Sequence, residues 1–570
     1  MAKFKDDYQK QKLQEFRLEE EEDLVQILAK TEYDLPYIDL NQIFVENAAL
    51  EVVPEKVAKK AFVGPFHIKG KSLDLAVRSP ESPLTKALVE TLEKEGYLPN
   101  LYMASTRSIE KVHERYDEIS LSKRSDKGSL NIQNESLESL QEKTKTLASA
   151  SETLKKIIEK GLSSSVSTLL EAILAASIGL GASDIHIEPE EDAIRLRFRI
   201  DGVLQELADF PPKLFKQLSA RIKLLSGMKI TLSSKNQDGR FSIMVSGEEI
   251  NIRSSAIPGA YGEGIVLRLL DPRNIRVGME SLGMNEKLLA RVQKEITKPN
   301  GLVILTGPTG SGKTTSLYSF LQKIYNPEKK IITIEDPIEY HLDGITQTQT
   351  DKKKDYTFLE GLRSALRQDP DVIMVGEIRD SETAKIAVES SLTGHIVFST
   401  LHTNNAAGAI PRLIDLGVNA KTIPSALSLA IAQRLVRILY SETKKSAAPT
   451  DEQHEKILRV LENGISHGKD FSEYGIDINL IRNREYVLYE PVPSEIAPTG
   501  YKGRLGVFEA VAADKEIEEI IPQNPSEREI REVAAKQGFL TMQEDGIIKV
   551  LQGVTSLHEL ERSVDLSADF

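Results

Sequence analysis

Cysteine is absent, which excludes disulfides, thiolate metal sites and thiol chemistry, and fits a cytosolic setting. Long apolar runs are missing as well. The longest, Ala172 to Ala182, falls far short of the roughly 20 residues that a membrane-spanning helix needs, so no transmembrane segment is expected. The opening Met1-Ala2-Lys3-Phe4-Lys5-Asp6-Asp7 has no apolar h-region, and no secretory signal is expected. Positive charge is in deficit. A formal charge of −13 argues against the protein as a whole being a nucleic-acid binder, because phosphate backbones call for a basic surface; a local basic groove stays open. What is present is ample apolar residue, 40% of 570, enough for packed cores in roughly three or four domains.

One stretch carries most of the chemistry. Gly301-Leu-Val-Ile-Leu-Thr306 reads as a buried strand, and it runs into Gly307-Pro308-Thr309-Gly310-Ser311-Gly312-Lys313-Thr314-Thr315, which fits G-x-x-x-x-G-K-[ST]. Gly307, Gly310 and Gly312 let backbone N–H groups turn inward around phosphate oxygens. Lys313 brings an ammonium to the β- and γ-phosphates, and the Thr314 hydroxyl is a ligand for Mg²⁺. A helix from Thr315 to Tyr325 follows, its N-terminal dipole favouring a bound anion. The stretch therefore reads as a nucleoside-triphosphate site, with ATP and Mg²⁺ as the expected ligands.

Around it the chain divides by composition. Residues 1–118 read as a small N-terminal α/β domain, with a helix from Leu84 to Glu95 and an acidic run Glu19 to Asp23 taken as a solvated face. Residues 119–165 are rich in Ser, Lys, Glu and Gln without an aromatic, and read as a polar, partly helical linker. Residues 166–275 form a second α/β module: a helix Ser167 to Leu180, then alternating strands such as Ile194-Arg-Leu-Arg-Phe-Arg-Ile200 with arginines on one face. Residues 276–570 hold a run of βα units to about Arg437, the pattern of a RecA-like parallel sheet, interrupted by a less regular region at 440–498 and ending in helices.

In open α/β sheets, ligands sit at the carboxyl ends of the strands. Three apolar runs end there with candidate groups: Lys330 to Ile334 before Glu335, Asp336 and Glu339; Asp371 to Val375 before Gly376 and Glu377; and Ile396 to Leu401, with His395 at its start and His402 past its end. Hydrolysis needs a metal ligand, a group that orients or deprotonates water, and positive charge for the transition state. Glu377 stands like a Walker B acid, holding Mg²⁺ directly or through water. Glu339 is the candidate base, with Glu335 and Asp336 as rivals. For the charge, Arg363 and Arg367 share a helix face, Arg379 follows Glu377, and Arg253 and Arg268 lie in the preceding module. An arginine supplied by a neighbouring subunit would couple hydrolysis to subunit motion.

These motifs resemble, in order, the Walker A (Gly307 to Thr315), aspartate box (Ile332 to Tyr340), Walker B (Asp369 to Asp380) and histidine box (Thr393 to Thr403) of the hexameric ATPases of type II secretion and type IV pilus assembly (GspE/PilB-like). The segments Gly181-Ala-Ser-Asp-Ile-His-Ile-Glu-Pro189, Gln237 to Arg240 and Thr499 to Arg504 are similar to family sequence too. The resemblance implies a RecA-like P-loop ATPase core behind a PAS-like α/β domain and a small N-terminal α/β domain of the secretion-ATPase type. It implies Glu339 as catalytic glutamate and Glu377 as the magnesium-linked one, with His395 and His402 near the nucleotide. Arg253 and Arg268 would reach the nucleotide from the N-terminal half, and Arg363, Arg367 and Arg379 would bind it or communicate between subunits. It further implies a homo-hexamer, cytoplasmic and peripherally associated with an inner-membrane platform protein, powering assembly of type IV pili; a type II secretion or competence pseudopilus ATPase is the alternative.

Two departures from the family pattern shape expectations. Many relatives bind structural zinc through two C-x-x-C pairs; the matching positions here are Tyr440, Thr443, Pro493 and Ile496, so no zinc is expected and the 440–498 subdomain is expected to be held by packing of Ile457, Leu458, Val460 and Leu461. The Arg-Leu-Gly repeat with which some relatives bind cyclic di-GMP is missing from residues 1–60, and no such binding is expected. A RecA-like or helicase-like nucleic-acid motor is the alternative of another class. It would need a basic or aromatic loop near a ring centre, for which Lys352-Lys353-Lys354 is the candidate.

Overall fold

The structure, a computed structural model, describes residues 21–22, 24–40, 45–113, 129–130, 140–141, 143–159, 166–245, 247–271, 273, 277–351 and 354–567. The chain divides into two units after Asn131. Part of the acidic run, the first two lysines of Lys352 to Lys354 and parts of the expected linker lie outside the described residues.

In the first unit, strand Val63–Lys69 pairs antiparallel with Ser72–Val77, which pairs parallel with Leu98–Met103. Helix Pro83–Lys94 makes the crossover that a parallel pair requires, burying Leu88 and Leu92. The turn between the first two strands is tight, and Gly70 takes it at φ 64°, a conformation that costs glycine little.

The second unit opens with helix Leu147–Glu159, inside the stretch expected as a linker. It buries Ala150 and Leu154 and packs on strand Val203–Phe210, with the Ser151 hydroxyl donating to the Leu207 carbonyl (2.6 Å). Two antiparallel meanders follow, Asp184–Pro189/Ile194–Ile200/Val203–Phe210 and Gln237–Val245/Glu248–Gly259/Gly262–Leu270, joined through helix Pro212–Leu225. Their first and last strands pair, making one sheet. The alternation in Ile194–Ile200 works as expected: Ile194, Leu196 and Phe198 are buried, and the arginines between them point to the other face.

Beyond it, parallel strands run in the spatial order Thr346–Gln349, Ile331–Glu335, Val372–Val375, Ile396–Leu401, Gly301–Thr306 and Leu427–Leu439, with Tyr501–Ala512 added antiparallel at the edge. This is a RecA-like sheet. Gly301–Thr306 is buried along its whole length, because helices cover both faces. Leu302 and Ile304 enter the core shared with helices Phe358–Leu366 and Ser381–Leu392, and Val303 and Leu305 enter the one shared with Glu286–Ile296 and Lys313–Ile324. Helix Met542–Leu551, started by a Thr541/Glu544 capping box, packs against Tyr501–Ala512.

Residues 440–498 carry a short antiparallel pair, Lys445–Ala447 with Leu488–Glu490, and a long helix, Asp451–Ser466. Ile457, Val460 and Leu461 are buried in the main core, and Leu458 packs at its margin. In this segment the Thr443 hydroxyl donates to the Val492 carbonyl (2.8 Å) and the Tyr440 N–H to the Gly500 carbonyl (3.0 Å). Pro493 and Ile496 are exposed. An added zinc chelator is expected to leave the melting temperature unchanged; a fall of several degrees would show a metal clip that these residues do not explain.

Candidate functional site

Register brings the site together. Thr306 pairs with Leu401 on one side and Ala432 on the other, and Ile334 pairs with Val375. The residues that follow these pairs along each chain segment, namely the 307–312 loop, Glu335, Glu377, His402 and Gln433-Arg434, therefore lie at one edge of the parallel strands. The loop turns through Gly307, Gly310 and Gly312 at φ 143°, 81° and 88°. A side chain at Gly307 would strike the Gln433 carbonyl at 2.6 Å and Ser311 Oγ at 2.7 Å, and one at Gly312 would strike Gln433 Nε2 at 2.8 Å. Pro308, Thr309 and Gly310 are exposed at the loop's crest, and Thr314 and Thr315 stand half-buried in the first turn of helix Lys313–Ile324.

Lys313 folds its ammonium back over the loop and donates to the carbonyls of Gly307 (2.6 Å) and Pro308 (3.0 Å). Burial, opposed by the Glu377 carboxylate and joined by Arg434, holds it below the ordinary lysine range. The Ser311 hydroxyl is buried without a hydrogen-bond partner. Open space at Gly310, that orphaned hydroxyl and an ammonium held under carbonyls beside a second cation suit a loop built around an anion. The donor set suits magnesium as well: a hydroxyl at Thr314 and a carboxylate at Glu377, both hard oxygen ligands.

Glu377 is largely buried, ion-paired with Arg379, and lies 3.4 Å from His402 Nε2. Glu339 is half-exposed. Its carboxylate lies 3.5 Å from Arg253, which also donates to the Ile338 carbonyl (2.8 Å). Burial lowers Arg253 from its usual value, Glu339 opposing this and Arg268 adding to it. Arg268, the cross-strand partner of Arg253, is bound to Asp184 (2.8 Å), a hydrogen bond that raises it. So one arginine of the N-terminal half touches the candidate base, and the other stands behind it.

The rival carboxylates are otherwise engaged or exposed. Glu335 is 3% exposed and accepts hydrogen bonds from Thr333, Tyr318 and Gln347. Burial pushes its carboxyl above the ordinary range. Asp336 is exposed and faces Arg379. Tyr318, on the helix after the loop, links these groups: its hydroxyl donates to Glu335 and accepts the Glu339 N–H (3.4 Å).

Three expected nucleotide contacts lie elsewhere in this chain. His395 opens its strand at the opposite edge of the sheet: its carbonyl accepts the Gly301 N–H (3.1 Å), and Nδ1 faces the Ser390 carbonyl (3.0 Å). A strand's length, about 17–20 Å, separates it from Gly307. Only the trailing histidine of the box reaches the site, since a strand delivers just its carboxyl end. Arg363 is bound to Glu360 (2.9 Å) and Glu382 (3.4 Å), and Arg367 to Ser364 (3.0 Å), on the exposed face of their helix. Helical spacing aligned the two arginines correctly but could not say which way that face points. Tyr318, Gln433 and Arg434 were not among the expected site residues; the place of Gln433 and Arg434 beside the loop depends on strand order. Lys354, the described member of the lysine run, is exposed and 3.5 Å from Asp351.

A phosphate loop, an acid just past the end of a nearby parallel strand and a second carboxylate braced by an arginine define a P-loop nucleoside-triphosphate hydrolase. A family model described as "Type II/IV secretion system protein" matches residues 159–562, and the chain belongs to this family of ATPases. It is 36% identical to "Type IV pilus assembly ATPase PilB" of Myxococcus xanthus (strain DK1622), over 95% of this chain and 91% of that one. It is 43% identical to "Type II secretion system protein E" of Pseudomonas aeruginosa, over 69% and 74%. Among solved structures, "Crystal Structure of the Pilus Retraction Motor PilT and Bound ADP" matches 70% of this chain and 96% of that one, with 25% identity and a TM-score of 0.46. Among the described residues, no helix is long and apolar enough to cross a membrane.

Proposed function

We propose that this chain is the subunit of a hexameric motor that hydrolyses ATP to power assembly of type IV pili, working in the cytoplasm against an inner-membrane platform protein. The observation that carries the pilus reading is reach. Likeness to the pilus assembly ATPase of Myxococcus xanthus extends over 544 residues, into the first unit, whereas likeness to the type II secretion protein of Pseudomonas aeruginosa extends over 394. The higher identity of the secretion protein over its shorter match supports the second reading, a type II secretion ATPase.

In the mechanism that the geometry supports, the loop amides and Lys313 hold the phosphate chain, and Thr314 and Glu377 are the residues that would hold magnesium. That ion would neutralise charge on the phosphate oxygens. Glu339 orients the attacking water and accepts its proton, while Arg253 keeps the carboxylate in place. His402 and Arg379 fix Glu377. Arg268 supports Arg253, and the exposed Arg363 and Arg367 are free to face a neighbouring subunit in the ring.

Deleting the gene in its own organism and counting surface pili by electron microscopy, alongside assay of secreted enzymes, separates the two readings. The expected result is loss of pili with secretion intact. Retained pili with lost secretion would reverse the choice.

A further inference from the structure

Positive charge beside the loop also comes from a strand that the sequence reading left unused. Because Thr306 pairs with Ala432, strands Gly301–Thr306 and Leu427–Leu439 run together to the sheet edge, and Gln433 and Arg434 pass alongside the first residues of the loop. A Cβ added at Gly307 would lie 3.1 Å from Arg434 Nη1. The stretch is fixed to the loop's own helix, since the Ser316 hydroxyl donates to Gln433 Oε1 (2.8 Å).

The Arg434 guanidinium is half-buried, and its hydrogen bonds go to main-chain carbonyls, Gln433 (3.1 Å) and Asn404 (2.8 Å). The carboxylate that acts on it, Glu509, is already held by the N–H groups of Ala406 (2.7 Å) and Met542 (3.2 Å). Arg434 is also close enough to Lys313 to depress its ammonium. Two cations gathered over a glycine loop repel each other, and a polyanion lying between them relieves both. A guanidinium adds a planar fork of donors that matches phosphate oxygens.

We propose that Arg434 contacts the phosphate chain of the bound nucleotide from within the same subunit, as a second cation beside Lys313. The proposal rests on the reading of 307–315 as the nucleotide loop. It differs from the arginine-finger role considered for Arg363, Arg367 and Arg379, because no neighbouring subunit is required.

Binding of ATP, ADP and AMP to the full-length protein, measured by calorimetry for wild type, Arg434→Ala and Lys313→Ala, tests it. Losing one charge-assisted contact is expected to weaken ATP and ADP by about 10- to 100-fold in Arg434→Ala. AMP affinity and the melting temperature should stay unchanged. A purely structural role would instead reduce all three nucleotides alike, and that result overturns the proposal, as does ATP affinity equal to wild type. If Lys313→Ala loses ATP while Arg434→Ala keeps it, Arg434 alone is refuted. If Lys313→Ala also binds ATP normally, the loop reading falls and takes Arg434 with it. Should Arg434→Ala fail to fold, Arg434→Gln retains a donor for the Asn404 carbonyl and carries the same expected result.

Discussion

Glu339→Gln should bind ATP much as the wild type does and turn it over about 10²–10⁴-fold more slowly, the usual consequence of removing a proton acceptor. Glutamine keeps the shape of the side chain and a carbonyl oxygen toward Arg253, 3.5 Å away, so the pocket survives while the base is lost. Other carboxylates at this edge are poorly suited to step in. Glu335 is buried and engaged by three donors, and Glu377 is tied to Arg379 and His402. Steady-state phosphate release, measured beside nucleotide titration, is the check. Normal turnover in Glu339→Gln would move the base to another residue.

Lys313→Ala is expected to fail earlier, at binding. Removing an ammonium that makes charge-assisted hydrogen bonds to phosphate should weaken ATP by about 10- to 100-fold. Misfolding can be separated from this by the sign of the lysine's own titration. Burial depresses the Lys313 ammonium, so its charged form costs the fold stability relative to the unfolded chain, a cost that sets in as pH falls below the ordinary lysine range. Of the two carbonyls that it leaves, those of Gly307 and Pro308, the latter belongs to an exposed residue that water can reach. The nucleotide-free variant should therefore melt no lower than the wild type, and the defect should appear only when ATP is titrated. Unchanged ATP affinity would remove the loop from the mechanism.

Much of the site was legible because P-loop chemistry is local. Gly307 to Thr315 must form one turn and one helix start, and the spacing of three glycines, a lysine and a threonine specifies that without reference to the rest of the chain. Fully apolar runs ending in acids marked the parallel strands, since a strand buried on both faces cannot alternate. The packing of the 440–498 region was readable too: Ile457, Val460 and Leu461 are buried as their spacing suggested. Less legible was helix Leu147–Glu159, whose polar composition suggested a linker although Ala150 and Leu154 are buried. Two apolar anchors on one face suffice for docking yet barely alter the composition.

By itself, then, the sequence determined the phosphate loop, the order of strands and helices along the chain, and the carboxylates carried at strand ends, because each follows from short-range periodicity and steric demand. Strand order in space was decided only by the tertiary structure. It brought Arg434 beside Gly307, while the packing of whole elements turned Arg363 and Arg367 outward and set Arg253 against Glu339. The physical reason is that such pairings join residues far apart in the chain, whose meeting depends on how whole elements bury their apolar faces, and no local pattern encodes that choice.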